Sequence, residues 1–594
     1  MTEVRTDSND SETPEDGSDV SVDPAFSGQA KSDAPELRLQ SPSHLMSASG
    51  GVGNDGDGGE RQDSLVSQGW RWGVEIALLL TLFFVYAGDS APMVNEAHYL
   101  VKAKNYWNPE WCKQDMFVAS AKAHTTFYVL FGWPTKYLTL AQTAWLGRLV
   151  GWLLLAIGLQ RLSWVVFRRP FFSLAIAVLW IAGIEYGNLA GEWVVGGIEA
   201  KVPAYGLILL ALSNLVQRRW NWVWVLLGAA AAFHVLSGGW AVVAAIGCWI
   251  ATERKRPDGC KLLTPALFFG GVISLLGLVP ALAMSLGSDA EQASMAARIY
   301  SYYRLKHHLL PADFFLSWYV RFAVLVIVMA CGLVVYGKRE ERIRILGWFA
   351  ATTLVISAIG LLVGLLPPYA PNLAAKLLRY YWFRLGDAMV PLMVAVLIGR
   401  MVLDHRKAPQ AVGIAVLLLA IALCGVSSFR SARRVVPPSV SNHLLGLDAD
   451  ASAKVQQHVY RDWLAVCRWA RQSSDDQEVF LTPRNQQTFK WFTGRAEVVN
   501  WKDVPQNPSA LLEWYERFQE VYPNRIGNRR TGNRVSIRYP TLLEFRQKYG
   551  VRYMVVDRRV TGNNLPLLRI YPIGPEINQT YAVYELPYPP SVTR

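Results

Sequence analysis

Charged residues and cysteines are scarce in this chain, and its C-terminal region lacks nucleotide-binding motifs. Only 18% of the 594 residues are Asp, Glu, Lys or Arg, whereas soluble domains average about 25%. Residues 431–594 contain no GxGxxG or P-loop pattern, so they give no sign of nucleotide binding. The six cysteines show no CxxC or zinc-ligand spacing. We interpret most of them as small apolar residues, although Cys112 and Cys467 could meet outside a membrane.

Long apolar runs dominate the middle of the sequence. Hydrophobic residues make up 52% of the chain, and several runs reach the roughly 20 residues needed to cross a bilayer. We therefore predict a polytopic α-helical membrane protein with about eleven transmembrane helices. The predicted spans are residues 70–87, 141–160, 170–187, 202–216, 221–235, 238–251, 262–286, 313–336, 343–366, 376–400 and 410–428. The fifth and sixth spans are short and meet at Ser237-Gly238-Gly239, so they are half-helices or a broken pair.

The first 66 residues have a different composition. Residues 1–64 hold 14 acidic and 4 basic residues and a single aromatic residue, Phe26. Such a segment cannot bury enough apolar surface to offset its ordering entropy, so we predict a disordered acidic tail over residues 1–66. It lacks the basic and apolar regions of a signal peptide. The chain carries +13 and this tail −10, so the remainder carries +23, which membrane topology explains better than nucleic-acid binding.

Basic residues gather in short loops that alternate along the chain. These residues are Arg161, Arg168, Arg169, Arg218, Arg219, Arg254, Lys255, Arg256, Lys261, Lys338, Arg339, Arg342, Arg344, Arg400, Arg406 and Lys407. The positive-inside rule assigns these loops and the N-terminal tail to the cytoplasm. The transmembrane domain then covers residues 67–430, and the region 431–594 lies outside. We expect a multi-pass protein of a bacterial inner (plasma) membrane, with the lipid bilayer as a partner and no nucleic acid.

The region 431–594 is predicted to be a soluble α/β domain outside the membrane. Glu478–Pro483, Val551–Asp557 and Thr580–Leu586 have strand patterns, and Leu511–Tyr522 has helical spacing. A further helix is expected before a turn at Gly550. Three basic residues of the TPRNQQTFKWFTGR stretch either close over an active site or form a solvated surface; they are Arg484, Lys490 and Arg495.

The first outer loop, residues 88–140, is long and rich in aromatic, acidic and histidine residues. Long loops with internal order are usually functional. Sorting the polar residues by predicted side places fifteen of them on the outer face. They are Glu96, His98, Asp115, His124, Glu192, Glu199, Lys201, His234, Arg298, Arg304, His307, His308, Arg379, Arg384 and Asp387. Any one of them has an ordinary structural interpretation, but arginines at an outer face run against the positive-inside bias, and ionisable residues at membrane depth are usually functional.

These residue types suit a particular chemistry. A carboxylate of the first loop, Glu96 or Asp115, could accept a proton from an acceptor hydroxyl as a general base. The arginines could bind a phosphate or diphosphate leaving group and stabilise its developing charge. The remaining outer-face residues are then candidates for substrate binding. Acid, arginine and access from the lipid together suggest transfer from a lipid-phosphate donor. A second interpretation uses carboxylates with imidazoles to hold a divalent metal such as Mg²⁺ or Mn²⁺, although only the His307-His308 pair resembles a ligand pattern.

Over about residues 70–594 the chain resembles the GT-C superfamily of integral-membrane glycosyltransferases. The match lies in VNEAHYL, where Glu96 corresponds to an acid of the mannosyltransferase-like members and Asn95 replaces their Asp; Asp115 in CKQDMF is the other acid. The stretches NEAHYL, GEWVVGGIEAK, RLKHHLLP and TPRNQQTFKWFTGR look like an uncharacterised bacterial group of this general type. The resemblance implies a polyprenyl-phosphate sugar donor and a glycan, lipid or protein acceptor on the extracytoplasmic face.

Two other functions are compatible with the sequence. A transporter or flippase of a lipid-linked or anionic substrate would use the broken helix pair around Gly238, because discontinuous helices build binding sites. Against it, the ionisable residues cluster at one face and no internal repeat is visible. A non-catalytic membrane scaffold is the other alternative, and it predicts that Glu96 and Asp115 affect stability alone.

Overall fold

The computed structural model describes residues 57–93, 95–404, 453–484, 486–523, 538–574 and 576–588, with short pieces inside 414–425 and 525–530. The predicted acidic tail lies almost entirely outside the described residues, and so does most of the predicted eleventh span, 410–428. Contacts group Asp63–Arg594 into one compact unit, which contains every part of the site described below.

Helices fill most of the chain before residue 405. They are α1 (Asp57–Ala87), α2 (Glu96–Trp107), α3 (Met116–Ala119), α4 (Thr125–Gly132), α5 (Leu140–Phe167), α6 (Phe172–Gly187), α7 (Lys201–Val216), α8 (Trp220–Phe233), α9 (Val235–Thr252), α10 (Pro265–Ala283), α11 (Ala290–Arg298), α12 (Lys306–Leu309), α13 (Leu316–Tyr336), α14 (Glu341–Val363), α15 (Pro371–Leu378) and α16 (Arg384–Asp404). A π-helical turn, Ile299–Arg304, connects α11 to α12.

Seven of the described helices are long and apolar enough to cross a membrane. They are the Gly69–Ala87 part of α1, together with α5, α9, α10, α13, α14 and α16. Helices α6, α7 and α8 are apolar but shorter, at 16, 16 and 14 residues. A helix therefore occupies each of the first ten predicted spans, while the count of eleven stays a prediction. The tenth begins at Arg384 rather than residue 376, because the chain turns between α15 and α16, where Tyr381 has a positive φ.

Glycines let neighbouring helices approach closely. A Cβ on Gly158 of α5 would lie 2.7 Å from Leu209 Cβ of α7, and one on Gly206 would lie 2.6 Å from Leu154 Cγ. Between α8 and α10 the backbones almost touch, since a Cβ on Gly228 would lie 2.1 Å from the Gly270 carbonyl oxygen. Small residues at such crossings are typical of membrane helices, where van der Waals packing drives association.

The loops predicted to be cytoplasmic meet at one end of the helices. Arg218 pairs with Glu253 at 2.6 Å, and the Arg342 guanidinium donates to the Val165 carbonyl at 2.7 Å. Arg256 contacts Glu341 in the same region. The structure thus supports the predicted alternation of loops, whereas the side of the membrane stays a prediction.

Helices α8 and α9 form a tight hairpin with a single connecting residue, His234. Arg218 and Glu253 pair at its open end, and a Cβ on Gly238 would lie 2.2 Å from the Ala231 nitrogen near its tip. At 14 residues, α8 is about 21 Å long, too short to cross a hydrocarbon core of about 30 Å at a right angle. The hairpin places His234 at the end opposite the basic loops.

The C-terminal region is an α/β layer structure. Its described elements are α17 (Ala453–Ser473), β1 (Val479–Leu481), α18 (Phe489–Thr493), β2 (Ala496–Glu497), α19 (Pro508–Val521), β3 (Arg525–Ile526), β4 (Arg529–Arg530), α20 (Tyr539–Tyr549), β5 (Val551–Asp557), α21 (Arg558–Thr561), β6 (Leu568–Tyr571) and β7 (Tyr581–Glu585). The main sheet has the order β2-β1-β5-β7-β6. Strands β2, β1 and β5 are parallel, whereas β7 is antiparallel to both β5 and β6.

Alternate strand residues face two separate cores. In β5, Tyr553 and Val555 pack with α17, whereas Met554 and Val556 pack with α19 and α20. The period of two along a strand explains this division. The strands and helices expected from the sequence are therefore present, including the left-handed Gly550 that ends α20. Cys112 and Cys467, which the sequence left open as a pair, are both free thiols.

Candidate functional site

A cavity of about 920 Å³ lies at the end of the helices opposite the basic loops. Eleven of the fifteen residues selected from the sequence line it. They are His98, His124, Glu192, Glu199, Lys201, His234, Arg304, His308, Arg379, Arg384 and Asp387. The structure thus brings together residues from five separate stretches of the chain. The other four, Glu96, Asp115, Arg298 and His307, are not part of this lining.

Positive charge is in excess around the cavity. The cationic side chains of its lining are Lys201, Arg304, Lys376, Arg379, Arg384 and Lys502. The carboxylates are Glu192, Glu199 and Asp387. Six cations against three carboxylates leave three formal positive charges, which favours an anionic ligand. Sequence reasoning missed Lys376 and Lys502, and the second of these comes from the C-terminal region.

Three helix N-termini also point their first residues into the cavity lining. Helix α7 begins at Lys201, α9 at Val235 and α16 at Arg384, and all three residues line the cavity. The N-terminus of a helix carries a partial positive charge and unpaired backbone N–H groups. Their convergence adds to the cationic side chains in favouring a negatively charged group.

His234 and Arg384 direct two hydrogen-bond donors at the same place. The Ser237 backbone N–H donates to His234 Nδ1 at 3.1 Å, so a neutral His234 carries its proton on Nε2. Arg384 Nη1 lies 3.1 Å from that Nε2. A guanidinium nitrogen can donate a hydrogen bond but cannot accept one. Two N–H groups facing each other repel, and an anion that accepts from both would relieve the repulsion. His124 stacks on the His234 ring, with ring centres 5.3 Å apart, and burial lowers the pKa of His124 to about 3.

Lys201 lies between the two glutamates of the second outer loop. Its Nζ contacts Glu192 and lies 3.0 Å from Glu199 Oε1, while Arg384 Nε lies 2.7 Å from Glu192 Oε2. Asn95 Nδ2 donates to the other Glu199 oxygen at 2.8 Å. These carboxylates are the best placed to ligate Mg²⁺ or Mn²⁺, but a lysine already occupies the space between them. In the described part of the chain, no group of three or more His, Cys, Asp or Glu side chains is arranged to hold a metal ion, so the arrangement does not fit the metal considered from the sequence.

Asp387 and His308 fix the loop that precedes Glu192. Asp387 accepts the backbone N–H groups of Leu189 and Ala190, both at 2.8 Å. His308 Nδ1 lies 2.6 Å from the Ala190 carbonyl oxygen and therefore donates to it. Burial lowers the pKa of His308 to about 3, so the ring is neutral and keeps an acceptor nitrogen. Asp387 thus positions the loop, and His308 both positions it and lines the cavity.

Glu96 is part of a fully buried ion pair outside the cavity lining. Arg148 of α5 donates to its two carboxylate oxygens from Nε and Nη2, each at 2.6 Å. The backbone N–H groups of Met93 and Ile198 donate to the same carboxylate at 2.7 and 2.9 Å. Both side chains of the pair have 0% exposure. With four donors and no solvent, this carboxylate has no lone pair directed at a substrate, so the geometry does not favour the expected role as a base.

Asp115 belongs to a second buried group, which we name the lysine cluster: Lys490, Asp115, Glu497 and Asp503. Lys490 Nζ lies 3.1 Å from Asp115, 2.8 Å from Glu497 and 2.5 Å from Asp503. Asp115 also accepts the Val118 and Glu497 backbone N–H groups. Lys490 therefore neither closes over the cavity nor forms a solvated surface, because it joins the C-terminal region to the first outer loop. Asp115, like Glu96, is fully bonded away from the cavity.

Asp503 also contacts the cavity through His98. His98 Nδ1 lies 3.3 Å from Asp503 Oδ1, and the ring lines the cavity. Burial lowers the pKa of His98, although Asp503 acts in the opposite direction. Sequence reasoning selected His98 but missed Asp503. The only available signal was an acidic residue two positions after a tryptophan, in NWKDVP.

The remaining selected residues separate into two groups. Arg304, at the end of the π-helical turn, donates from Nε to the Trp501 carbonyl at 2.8 Å and lies over the Trp501 ring. Arg379 lies over the Tyr300 ring, with 5.4 Å to its centre. Both line the cavity and anchor aromatic residues near it. Arg298 and His307 are exposed outside the lining, so the structure gives them no place in this site.

One side of the cavity is apolar and continuous with a lipid-facing helix. Leu278, Ala281 and Leu282 of α10 line the cavity. The same helix exposes large apolar residues, including Leu276 at 61% and Val279 at 56%. Such a surface is expected where a helix contacts lipid. The cavity therefore combines a cationic interior with an apolar edge.

Comparison with known proteins adds one similarity. Residues 461–521 match the family model of a domain of unknown function, DUF6798. No curated protein matches the chain. The matched segment contains Lys490, Glu497, Lys502 and Asp503, so the similarity covers the part of the C-terminal region that contacts the first outer loop and the cavity.

Proposed function

We propose that this protein is an integral-membrane glycosyltransferase that moves a sugar from a polyprenyl-phosphate donor to an acceptor on the extracytoplasmic face. One observation carries the proposal: a cavity with an excess of positive charge lies directly beside an apolar helix surface. A lipid-phosphate sugar needs both environments at once. Its phosphate requires cations, and its polyprenyl chain requires an apolar surface that continues into the bilayer.

The cations match the needs of the leaving group. As the bond between the sugar and the phosphate breaks, negative charge develops on the phosphate, and fixed donors stabilise it. Arg384 Nη1 and His234 Nε2–H already converge at 3.1 Å, beside the N-termini of α9 and α16. Because these donors are held in place before the ligand arrives, they need little reorganisation during the reaction. We place the phosphate of the polyprenyl-phosphate sugar at this position.

The apolar edge suits the polyprenyl chain. Leu278 and Leu282 line the cavity on α10, and Leu282 is 62% exposed. A chain lying along this edge would exchange contacts with lipid tails for contacts with the helix, so van der Waals packing would hold it there. The sugar would then lie toward the polar side chains of the second outer loop.

The proposed reaction also needs a proton acceptor. The resemblance suggested Glu96 or Asp115, but both are bonded elsewhere, as described above. The general base in this proposal is therefore a residue of the cavity lining.

The test is glycosyl transfer by purified protein from a panel of polyprenyl-phosphate sugars, with and without EDTA. We expect transfer by the wild type and a loss of at least tenfold in Arg384→Gln through weaker donor binding. Arg552→Gln is a matched control, because Arg552 pairs with Glu585 at 3.0 Å on the sheet, away from the cavity. No transfer from any donor, or equal transfer by both variants, would contradict the proposal.

One observation favours the transporter alternative. Helix α8 is short, and the tip of its hairpin with α9 lies at the cavity, as the ends of discontinuous helices do in transporters. The same panel separates the two functions. Movement of an intact lipid-linked sugar across vesicles without sugar transfer would indicate transport. Lipid binding without either activity would indicate a scaffold.

A further inference from the structure

His98 and Asp503 meet across two distant parts of the chain. His98 lies in the first turn of α2, and Asp503 follows α18 in the C-terminal region. Their side chains approach to 3.3 Å between Nδ1 and Oδ1, with exposures of 19% and 2%. The histidine therefore keeps a face toward the cavity, while its carboxylate partner is buried behind it.

The surroundings of Asp503 fix its orientation. Its Oδ2 accepts from Lys490 Nζ and, at 2.9 Å, from Asn500 Nδ2. Its backbone N–H donates to Asn500 Oδ1 at 2.9 Å. Burial alone would raise the pKa of Asp503, but Lys490 and His98 together lower it by more, so the pKa lies below its usual range. Asp503 is ionised, and its Oδ1 is the oxygen available to His98.

An ionised carboxylate determines which His98 nitrogen carries the proton. Because Asp503 can accept but not donate, His98 Nδ1 is the donor and Nε2 keeps its lone pair. Phe117 packs on the ring at 4.4 Å between ring centres, which holds its plane. Among the described residues, His98 Nε2 has no hydrogen-bond partner. This is the arrangement of an oriented, neutral base that can accept a proton at the cavity.

We infer that His98 is the catalytic base of the transfer reaction and that Asp503 is its positioning residue. The inference rests on the proposed glycosyltransferase function. In the step, the acceptor oxygen forms a bond to the anomeric carbon while its proton moves to His98 Nε2. The bond from the anomeric carbon to the phosphate oxygen breaks, and the phosphate leaves with the electron pair. Asp503 stabilises the imidazolium that forms.

The other acceptors of the cavity are less suited to this role. Glu192 and Glu199 both pair with Lys201, and Asp387 holds two backbone N–H groups. His308 resembles His98 in that its Nδ1 also donates a hydrogen bond, but the acceptor is a backbone carbonyl instead of a carboxylate. A carboxylate stabilises an imidazolium far more than a neutral carbonyl does, because the two carry opposite charges.

The experiment measures transfer and donor binding for the wild type, His98→Gln and Asp503→Asn across pH. The control is His458→Gln, since the exposed His458 lies 3.5 Å from the buried Asp462 on α17, away from the cavity lining. We expect His98→Gln to lose about 100-fold or more in kcat, with donor binding within threefold of the wild type and His458→Gln unchanged. Added imidazole is expected to restore part of the activity of His98→Ala.

Asp503→Asn separates positioning from a merely structural effect. Asp503 raises the pKa of His98, so its loss should move the acidic limb of the kcat/KM profile to lower pH while the plateau falls. A lower plateau with an unmoved limb would overturn the positioning role. If the wild type is active and His98→Gln transfers sugar at a rate within threefold of it, the base assignment is overturned but the proposed function is not. A wild type inactive with every donor would overturn the proposed function, and the base with it.

Discussion

Replacing Glu96 by Gln distinguishes a catalytic acid from a structural one. The resemblance to membrane glycosyltransferases assigns Glu96 to the base, whereas the structure gives its carboxylate four donors and a fully buried partner, Arg148. Gln keeps the side-chain volume but loses the charge. The arginine then stays buried without a counter-charge, so the change should act on stability first.

The expected magnitude follows from burial. Removing one partner of a buried ion pair typically costs about 3–5 kcal/mol, because the remaining charge is left uncompensated. The Gln oxygen can still accept two of the four donors, so we expect the lower end, about 3 kcal/mol. Glu110→Gln is the control: Glu110 pairs with Lys113 at 2.7 Å in an exposed position, and such surface pairs contribute about 0–1 kcal/mol.

The assay is thermal unfolding in detergent, followed by the fluorescence of the 23 tryptophans. Unfolding of a large membrane protein is often irreversible, so the half-life at a fixed temperature is measured beside the midpoint. We expect a lower midpoint for Glu96→Gln and little change for Glu110→Gln. The double variant Glu96→Gln/Arg148→Gln should recover part of the loss, because it removes the lone buried charge.

The opposite pattern would refute this reasoning. If Glu96→Gln keeps the wild-type midpoint and half-life but loses transfer by a hundredfold, Glu96 acts in catalysis and the ion pair is incidental. If the separate losses of Glu96→Gln and Arg148→Gln add in the double variant, Arg148 and Glu96 are not energetically coupled. The first result would return the base assignment to the acid that the sequence first suggested.

Three further predictions concern charge at the cavity and the lysine cluster. Because burial depresses the pKa of His124 from about 6.5 to about 3, stability should fall as pH drops through this range, and His124→Gln should reduce that fall in a melting series. Lys490→Met should be much less stable than the wild type at pH 8 and recover partly at pH 5, since Glu497, whose pKa burial already raises, can then protonate. Inorganic diphosphate should raise the melting temperature of the wild type and Arg552→Gln but not of Arg384→Gln.

The parts of the fold that depend on local sequence were predictable. Apolar length and composition are properties of a continuous segment, and a helix occupies each of the first ten predicted spans. The strand Val551–Asp557 and the turn at Gly550 are equally local, and both appear in the structure. The break before Arg384 was missed, because the run LRYYWF contains no Gly or Pro to mark the end of a helix.

The partners of buried charges were not predictable in the same way. Glu96 and Arg148 are 52 residues apart, and no periodicity connects them. One signal was present: Arg148 is the one arginine within the predicted span 141–160. A charge at that depth requires a counter-charge, and the acids of the first outer loop, Glu96 and Asp115, were candidates for it. This signal indicates a structural pair for one of these acids, although it does not select between them.

Selecting residues by their predicted side of the membrane identified much of the cavity lining. Assigning chemical roles to those residues from the sequence agreed less well with their contacts. The predicted side of a loop follows from the alternation of the helices along the chain. This alternation brings the predicted outer loops to one end of the helices, so most of the selected residues meet there. Roles depend on hydrogen bonds over long separations, such as the 405 residues between His98 and Asp503. Asp503 owes its position to Lys490 and Asn500, which lie in the segment that matches a domain of unknown function. The chain before residue 405 supplies five of the six cations that line the cavity, and the C-terminal region adds Lys502 and the carboxylate that contacts His98, so both regions build the site.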